Sequence, residues 1–577
     1  MKPRHWRVFW LVAALESLAA IVVYLASPSE AGSAWLFGYS RARWVGVAAL
    51  LGAALLLAGA AGVGFGRFEA FSARVERVNR WLERGNRLLG VWVGLAGGVV
   101  GLAGAVLFTY LFIPVHLRSP LALGAVLLLE AIGFLAWDQA ARLRSAEFWR
   151  PLDGLPRFRH LDAGQRRVFW MLAGVGVLYF LAFIPPNLAG AENPERFFTT
   201  GGDEYVIYPI PVRMLTPGNT LEQSLYFSVV YEDYHYGYPF YAISAFVLLP
   251  VRLVFGDSFG EQTRLNLLLL RQITSVLPLI GAAGVLVFLG TRFKHAWRAL
   301  ALFLLLLSIP GVFKYNLRFW HPDGLMVLFI CLTLFFLERD RLRLGPNFVL
   351  AAVCCGLASA VKLYGFFFFA AVAGVLIASW VARRRVFRAE AGSGGGRKII
   401  LAGLAFVIVM SAALVFSNPF VFVDSARTRL VQIMTDKTGE MSQGYSDPDP
   451  DHIYRTGVDV WLPFYEYFYA EGFFLVFLLV SLAAGAVWGR NRLSYGLILA
   501  WAIPVNAYLI GFVAVKAYQY MLPGMLPLYA GAFALADLGV LPALPAGLRR
   551  AGWALVWGCV AAQFAISLGT NWTTWGL

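Results

Sequence analysis

The sequence predicts an all-α polytopic membrane protein with about 15 transmembrane helices. Its 577 residues are 59% hydrophobic and only 14% charged, and the mean hydropathy is +0.67. Apolar runs of about 15–25 residues recur from end to end, which is the length that a helix needs to cross the hydrocarbon layer. These runs do not alternate between polar and apolar residues, so the pattern argues against a β-barrel.

The charge pattern and the cysteines narrow the class further. The formal net charge is +15, but the positive residues lie in short loops between apolar runs. That is the distribution expected of loops that fix orientation in a membrane, so we do not expect nucleic acid as a partner. The four cysteines all fall in apolar runs, which indicates core packing and neither a disulfide framework nor a metal site: Cys331, Cys354, Cys355 and Cys559.

Residues 1–160 are predicted to form an N-terminal four-helix membrane module of unknown role. Lys2, Arg4 and Arg7 precede the first apolar run and give it signal-peptide character, but we expect an uncleaved first span because many spans follow. Arginine-rich loops at 67–87 and 139–167 are expected to be cytoplasmic. The predicted spans of the module are 8–26, 43–65, 89–114 and 119–137.

The later basic loops determine the remaining topology, because each span moves the chain to the opposite side of the membrane. The loops at 291–298, 338–343 and 383–398 are basic and are expected inside. They all lie inside only if the apolar stretch 237–255 does not span, so we predict a juxtamembrane or re-entrant segment on the outer face. The run 347–381 is too long for one helix and predicts two short helices that turn near Lys362.

The predicted core therefore covers residues 161–577, with its main outer loops at 187–265, 314–323 and 418–469. A shorter outer segment holds Lys516. The predicted spans are 168–186, 266–290, 298–313, 324–338, 347–361, 363–381, 398–417, 470–488, 494–512, 519–538 and 551–569.

Two sets of carboxylates fall on the outer face. Asp203 and Glu204 are adjacent in the first outer loop, where acids are most often solvated charges and less often a general base or metal ligands. Asp323 follows His321 at the mouth of a span. A carboxylate that enters an apolar helix is costly unless it is paired or functional, so Asp323 is the stronger functional candidate.

Cations and aromatic residues accompany these acids. Positive charge on an outer face runs against the orientation bias and indicates an anionic ligand at the interface; the residues are Lys314, Lys362, Lys437, Lys516, Arg213 and Arg318. The tyrosine-rich stretches 231–239 and 465–469 are typical of an interfacial belt and also suit a sugar or an isoprenoid chain. No Walker loop, GxGxxG after a strand or HExxH is present, so ATP-driven chemistry is not expected.

From about residue 165 to 570 the chain resembles the GT-C superfamily of membrane glycosyltransferases, in the branch of protein O-mannosyltransferases and lipid A aminoarabinose transferases. The resemblance depends on the order and spacing of short motifs. They are Asp203-Glu204, Tyr238-Pro239 in place of the usual His-Pro-Pro, Arg264 or Arg271 at the next span, Arg318 to Asp323, the turn at Lys362, Asn418-Pro419-Phe420, and Lys516 to Pro523.

This resemblance implies a transferase that takes a sugar from a polyprenyl-phosphate donor and passes it, with inversion, to an acceptor hydroxyl of a protein, lipid or glycan. It implies a bacterial inner membrane location, an active site on the periplasmic or extracellular face and no required cofactor. In metal-dependent relatives a divalent cation (Mg or Mn) would bind Asp203 and Asp323.

The implied roles divide the candidate residues into three sets. Asp203 is the expected base, and Glu204 and Asp323 position the donor or acceptor. The donor phosphate is expected to contact Lys362, Lys516, Arg318 and Arg264. The substrate pocket is expected to contain His321, Tyr205, Tyr238 and Tyr518.

Two other functions fit a chain of this kind. A transporter or flippase of a lipid-linked sugar would also combine many spans with buried charge, but it would usually show mid-span charges and repeat symmetry. A cell-surface glycan polymerase or ligase would share the layout and differ in its donor and acceptor. The residues name neither the sugar nor the acceptor.

Overall fold

The computed structural model describes residues 161–189, 191, 203–387, 395–444, 454–538 and 546–575. The four spans predicted within 8–137, and the module 1–160 that contains them, lie outside the described residues. Throughout the described part the regular structure is helical, and the only extended pairing found there is an isolated bridge between Gly489 and Leu538. The predicted all-α class is therefore confirmed for this part of the chain.

The α-helices are named in chain order. The first ten are α1 (Ala163–Ala182), α2 (Ile184–Ala189), α3 (Asp203–Ile207), α4 (Pro209–Leu215), α5 (Leu221–Val229), α6 (Tyr238–Phe255), α7 (Thr263–Leu270), α8 (Leu277–Thr291), α9 (Ala296–Ser308) and α10 (Pro310–Asn316). The rest are α11 (Asp323–Asp340), α12 (Pro346–Val361), α13 (Phe369–Phe387), α14 (Gly395–Phe416), α15 (Asp424–Gln443), α16 (Val458–Phe468), α17 (Gly472–Trp488), α18 (Arg492–Phe512), α19 (Tyr518–Met525) and α20 (Ala546–Trp575).

Shorter turns connect several of these helices. A π-helical segment, Arg271–Val276, joins α7 to α8. The 3₁₀ segments are Gly256–Glu261, Leu363–Phe368, Pro419–Phe422, Leu526–Gly531 and Leu535–Asp537. Two compact units are present, and the larger one comprises Leu143–Pro211, Tyr231–Val251 and Phe259–Leu577. Every residue of the sites described below belongs to this larger unit.

Seven helical segments of the described part are long and apolar enough to cross a membrane, and up to nine if each of two bent helix pairs forms one span. The bent pairs are α9 with α10, at 64°, and α16 with α17, at 92°. The first bend has a local cause, because Ile309 precedes Pro310 and has the extended ψ of 125° that a following proline favours. The total of about 15 spans remains a prediction for the whole chain.

Two predicted helical segments, 347–381 and 519–538, can be compared directly with the structure. The break in the run 347–381 is confirmed: α12 ends at Val361, Lys362 is extended (φ −160°, ψ 135°), and a 3₁₀ turn leads into α13. The prediction of one continuous helix at 519–538 is wrong. There α19 ends at Met525 and 3₁₀ turns follow, since Pro523 and Pro527 cannot donate the backbone hydrogen bonds that an α-helix needs.

The segment 237–255 forms α6, which together with the following turn to Glu261 is long and apolar enough to span. Length and composition therefore do not separate a spanning helix from a juxtamembrane one. Its placement on the outer face stays a prediction from the parity of the basic loops.

The core around the site is built from helices that approach closely. α11 packs against α8 and α12, and α12 also packs against α14. Gly356 of α12 permits the second approach, because a Cβ there would lie 2.4 Å from the carbonyl oxygen of Met410. Small residues at helix contacts are the usual means of close packing in membranes.

Gly237 fixes the segment before α6 against the end of α12. Its N–H donates to the carbonyl oxygen of Val361 at 3.1 Å. A Cβ at this position would lie 1.5 Å from the carbonyl oxygen of Ala360, so no side chain fits without moving one of the two backbones. The neighbouring residues Tyr236 and Lys362 are thereby held side by side.

We predict that Gly237→Ala lowers the unfolding free energy by about 3 kcal/mol, at the upper end of typical overpacking costs, because the obstacle is backbone. Thermal unfolding of the purified protein in detergent measures this loss. Gly284→Ala is the matched control, since nothing lies within 4 Å of a Cβ built there. Equal stability of the two variants would contradict the prediction.

Candidate active site

A cavity of about 520 Å³ lies beside the start of α3 and the turn at Lys362. One end of it is polar and ionic, and the remaining wall is mainly apolar and aromatic. The lining residues are Asp203, Val206, Ile207, Asp233, His235, Tyr236, Lys362, Leu363, Tyr364, Phe366, Phe367, Met434, Lys437, Thr438, Met441, Tyr508, Leu509, Val513 and Tyr520.

Asp203 is the first residue of α3, and its side chain is 52% exposed at the polar end of this cavity. The Tyr236 hydroxyl donates to its Oδ2 at 3.4 Å, and Nε2 of His321 lies 3.5 Å from the same oxygen. The carboxylate is therefore held loosely from one side and remains accessible from the cavity.

His321 lies behind Asp203 and contacts a second carboxylate. Its Nε2 is 2.5 Å from the Tyr236 hydroxyl, and its Nδ1 is 2.5 Å from Oδ2 of Asp323. The ring stacks on Phe319 at 4.8 Å and only 1% of the side chain is exposed. An ionised carboxylate can only accept a hydrogen bond, so the Nδ1 that faces Asp323 carries a proton.

Asp323 is fully buried between His321 and Lys362. Lys362 Nζ donates to its Oδ1 at 2.9 Å. The carboxylate also opens α11, where the partial positive charge of the helix N-terminus favours an anion. Asp323 is thus paired on both sides, as a carboxylate at the mouth of an apolar helix requires.

Lys362 brings the positive charge to the cavity. Its ammonium group lies over three tyrosine rings, 5.0 Å from Tyr520, 5.7 Å from Tyr236 and 6.0 Å from Tyr364. The extended conformation between α12 and the next turn directs it there. Sequence reasoning placed Asp203, Asp323 and Lys362 on one side of the membrane, and the structure brings them together.

The pKa of Asp203 is lowered from its usual value. The interaction with His321 is the largest cause; burial opposes it, and the positive charges of His321, Lys362 and Lys437 add to it. Asp203 is therefore an anion at neutral pH, with its negative charge directed at the cavity.

Glu204 points away from the cavity, although it is the next residue in the chain. Its carboxylate accepts two hydrogen bonds from Arg271, Nε to Oε1 at 2.9 Å and Nη2 to Oε2 at 2.5 Å. It also accepts the backbone N–H of Trp320, and it is fully buried. This geometry corrects the expectation that Glu204 contacts a substrate, because both of its oxygens already bind protein donors.

Arg271 completes a buried junction. Its Nη1 donates to the carbonyl oxygen of Asn187 at 2.9 Å, and the Asn187 side chain accepts the N–H of Arg318 at 2.7 Å. Of the two arginines that the sequence offered for the start of this span, Arg271 is the one joined to Glu204. The junction therefore fixes the loop that carries His321.

The other predicted ligands of the donor phosphate do not line this cavity. Lys516 Nζ donates to the carbonyl oxygens of Arg455 (2.7 Å) and Ala514 (2.8 Å). Arg318 Nε points to the carbonyl oxygen of Pro186 at 3.4 Å. Arg264 lies on α7, away from the lining residues. None of the three residues is in the lining of this cavity, so their role as phosphate ligands stays an expectation from the resemblance.

The predicted pocket tyrosines also lie elsewhere. Tyr518 has its ring 4.5 Å from Lys314 Nζ, Tyr205 is 42% exposed on α3, and Tyr238 donates its N–H to Asn418 Oδ1 at 2.8 Å. None of the three is among the lining residues. The tyrosines that do line the cavity are Tyr236, Tyr364, Tyr508 and Tyr520.

The sequence did not single out these four tyrosines as site residues, and it indicated Lys437 only as one of several outer cations that suit an anionic ligand. Tyr236 stood within a tyrosine-rich stretch, which was the only available signal. The others come from distant segments that meet only in the folded chain.

The described residues do not fit the metal site that the resemblance allowed. Within this part of the chain no group of three or more His, Cys, Asp or Glu side chains is placed to hold a metal ion. Asp203 and Asp323 approach different nitrogens of His321, so an imidazole ring separates the two carboxylates.

We predict that Glu204→Gln destabilises the fold by about 3–5 kcal/mol, because it leaves Arg271 as a buried charge without a counter-ion. Asp203→Asn, one residue away, is the matched control and should unfold near the wild-type temperature. Thermal unfolding in detergent compares the two; a stable Glu204→Gln protein would show that the junction is not essential.

The known proteins similar to this chain are solved structures. No family model matches the chain, and no curated protein matches it significantly. Among solved structures, ArnT from Cupriavidus metallidurans bound to undecaprenyl phosphate is 16% identical, with 70% of each chain covered and a TM-score of 0.39. The apo state of the same protein is 17% identical over 67% of this chain and 63% of that one, with a TM-score of 0.33.

Proposed function

We propose that this protein is a membrane glycosyltransferase that moves a sugar from a polyprenyl-phosphate donor to an acceptor hydroxyl, with inversion, at the outer face of the membrane. The observation that carries the proposal is one cavity in which an accessible carboxylate, Asp203, and an ammonium group, Lys362, share a polar end beside an apolar wall. A sugar on a lipid phosphate has the matching parts: a hydroxylated ring, an anion and a hydrocarbon chain.

The donor phosphate would lie near the cations of the cavity. Lys362 and Lys437 both line it, and a lysine binds phosphate as a compact point charge. Next to Lys362, the side chains of Leu363 and Phe366 are 49% and 50% exposed. They would accommodate the first isoprenoid units. Undecaprenyl phosphate, which is bound in one of the similar structures, belongs to this class of lipid.

The transfer would form one bond and break another at the anomeric carbon. The acceptor oxygen attacks this carbon from the face opposite the phosphate, and the bond from the carbon to the phosphate oxygen breaks. The phosphate leaves with the electron pair as polyprenyl phosphate, whose developing charge Lys362 and Lys437 stabilise. Because this leaving group departs as an anion, no general acid is needed.

The acceptor proton would pass to Asp203. A carboxylate with a lowered pKa is a weak base towards a free hydroxyl, so proton transfer is expected to accompany bond formation, when the oxygen becomes acidic. Tyr236 and His321 continue the hydrogen-bonded path behind Asp203, and Asp323 faces the far nitrogen of the ring. These residues would orient Asp203 and stabilise the proton once it is transferred.

The location in a bacterial inner membrane is part of this proposal and follows from the family resemblance, whereas the periplasmic or extracellular orientation of the site follows from the basic loops. The acceptor class is a hydroxyl of a protein, lipid or glycan. No metal step is proposed, and adding a chelator to the transfer assay tests for metal dependence.

We predict that Asp203→Asn lowers the rate of sugar transfer by about 10²–10⁴-fold, the usual contribution of a positioned proton acceptor. The assay uses purified protein in liposomes with a polyprenyl-phosphate sugar and follows the glycosylated product. Asp459→Asn, an exposed carboxylate outside the cavity, is the matched control. Full activity of Asp203→Asn would contradict the assignment of the base.

The same assay separates the proposed function from its alternatives. Movement of the lipid-linked sugar across the bilayer without a covalent product would favour a transporter. Transfer from a diphosphate-linked oligosaccharide and not from a monophosphate donor would favour a polymerase or ligase.

We predict an acid limb in the pH profile of kcat/KM that lies below the usual pKa of an Asp side chain. The folded pKa is depressed, so the reactive anion persists as pH falls and is lost only as pH passes through the lowered pKa. His321→Gln removes the largest cause of this shift, so its acid limb should move to higher pH. Identical acid limbs in the two proteins would contradict the role of His321.

A further inference from the structure

A second and larger cavity, of about 880 Å³, lies at the other end of α11 and α12. Four separate parts of the chain contribute to it. The lining residues are Leu161, Gln165, Phe288, Arg292, Lys294, Glu338, Arg339, Arg341, Arg343, Asn347, Gly489, Arg490, Asn491, Arg492, Leu493 and Ser494.

This cavity is far from the candidate active site. Asp323 begins α11, and the cavity-lining Glu338 and Arg339 lie in the last turn of the same helix. At 1.5 Å per residue the two ends of this helix are about 25 Å apart. An occupant here cannot take part in chemistry at Asp203. By the predicted topology the cavity opens on the cytoplasmic side.

The lining carries a large excess of positive charge. Seven of the lining residues are Arg or Lys, and Glu338 is the only acidic residue among them. That acid is already bound, because Arg292 donates Nη1 to its Oε2 at 2.9 Å and pairs through Nη2 with its other oxygen. Glu338 is thus the one carboxylate of the described lining, against seven cations.

The walls of the cavity are fixed by hydrogen bonds. Arg292 also donates to the Ser494 hydroxyl at 2.9 Å, and its carbonyl oxygen accepts from Gln165 at 2.8 Å. Asp340 accepts the N–H groups of Leu344 (2.6 Å) and Gly345 (2.8 Å), which shapes the adjoining loop. These hydrogen bonds therefore hold the chain segments that carry the cations in defined positions.

Two buried polar atoms of the lining have no hydrogen-bond partner in the described part of the chain. They are Oδ1 of Asn347, a residue only 2% exposed, and Nε of Arg339. A buried polar group without a partner costs about 1–3 kcal/mol, so such atoms often mark the place of a ligand or water. Their position beside the cations indicates a polar occupant.

We propose that this basic cavity binds a phosphate-bearing anion. The orientation bias explains positive charge in these loops but does not require that three separate chain segments contribute cations to one cavity. A guanidinium group can donate two parallel hydrogen bonds to two oxygens of one phosphate. Basic pockets between membrane helices on the cytoplasmic side bind anionic lipid headgroups. The volume exceeds that of one phosphate, so a headgroup of an anionic phospholipid or a soluble compound with more than one phosphate fits the site.

The experiment measures the change in melting temperature of the full-length protein in neutral detergent. One series adds short-chain phosphatidylglycerol, the second adds short-chain phosphatidylcholine, and the third adds sodium pyrophosphate. A ligand that binds only the folded state raises the melting temperature in proportion to its occupancy. We expect a rise with phosphatidylglycerol or pyrophosphate, weakened by salt, and none with phosphatidylcholine.

The variant Arg341→Gln with Arg492→Gln removes two exposed cations of the lining and should weaken apparent binding about 30-fold, since each cation near an anionic surface contributes about a fivefold factor. Arg549→Gln with Arg550→Gln is the matched control, because it removes the same charge from the exposed start of α20, outside the cavity.

The outcomes separate the two sources of phosphate. A response to phosphatidylglycerol alone identifies a lipid headgroup, and a response to pyrophosphate identifies a soluble anion. If the first variant does not fold, Lys294→Gln with Arg490→Gln tests the same cavity from its other walls. Equal responses of wild type and cavity variants, or an equal response to phosphatidylcholine, would overturn the proposal.

Discussion

The buried pair of Glu204 and Arg271 is the interaction on which the candidate active site depends. Two charges removed from water are tolerated only when their hydrogen-bonding groups are satisfied, and here Glu204 also binds the backbone of Trp320 while Arg271 binds that of Asn187. The pair thus joins three segments that are distant in sequence. One of them carries His321, so the position of the histidine relative to Asp203 follows from a contact outside the cavity.

The neighbouring acids show how one dipeptide performs two tasks. Helix geometry separates the side chains of residues i and i+1 by about 100°, so Asp203 faces the cavity when Glu204 faces the core. Behind Asp203, contacts continue through Tyr236 and His321 to Asp323 and end at Lys362. The Tyr236 hydroxyl and the His321 ring separate the two carboxylates of this path, and Lys362 pairs directly with Asp323. Asp203 therefore keeps a net negative character toward the cavity, and Lys362 supplies the positive charge next to it.

The two cavities differ in charge and in structure. The one near Asp203 has mixed charge, tyrosine rings and an apolar wall, which suits a molecule that is part sugar, part phosphate and part hydrocarbon. The one at the far end of α11 is almost purely cationic and polar, which suits an anion. α11 extends from Asp323, which pairs with Lys362 of the first cavity, to Glu338 and Arg339 in the lining of the second.

The sequence by itself determined the helical membrane class, the break at Lys362, and the grouping of Asp203, Asp323 and Lys362 on one side, because hydrophobic length and loop charge are local properties of the chain. The tertiary structure decided which candidates meet. Glu204 pairs with Arg271, and Lys516 donates to backbone carbonyl oxygens. Tyr236 and Lys437 line the cavity. The sequence could not show these directions, because the direction of a side chain depends on partners that lie far away in the sequence. The wrong prediction of one helix at 519–538 lies between these two cases. Pro523 and Pro527 were visible in the sequence, but the apolar composition of the segment suggested a continuous helix.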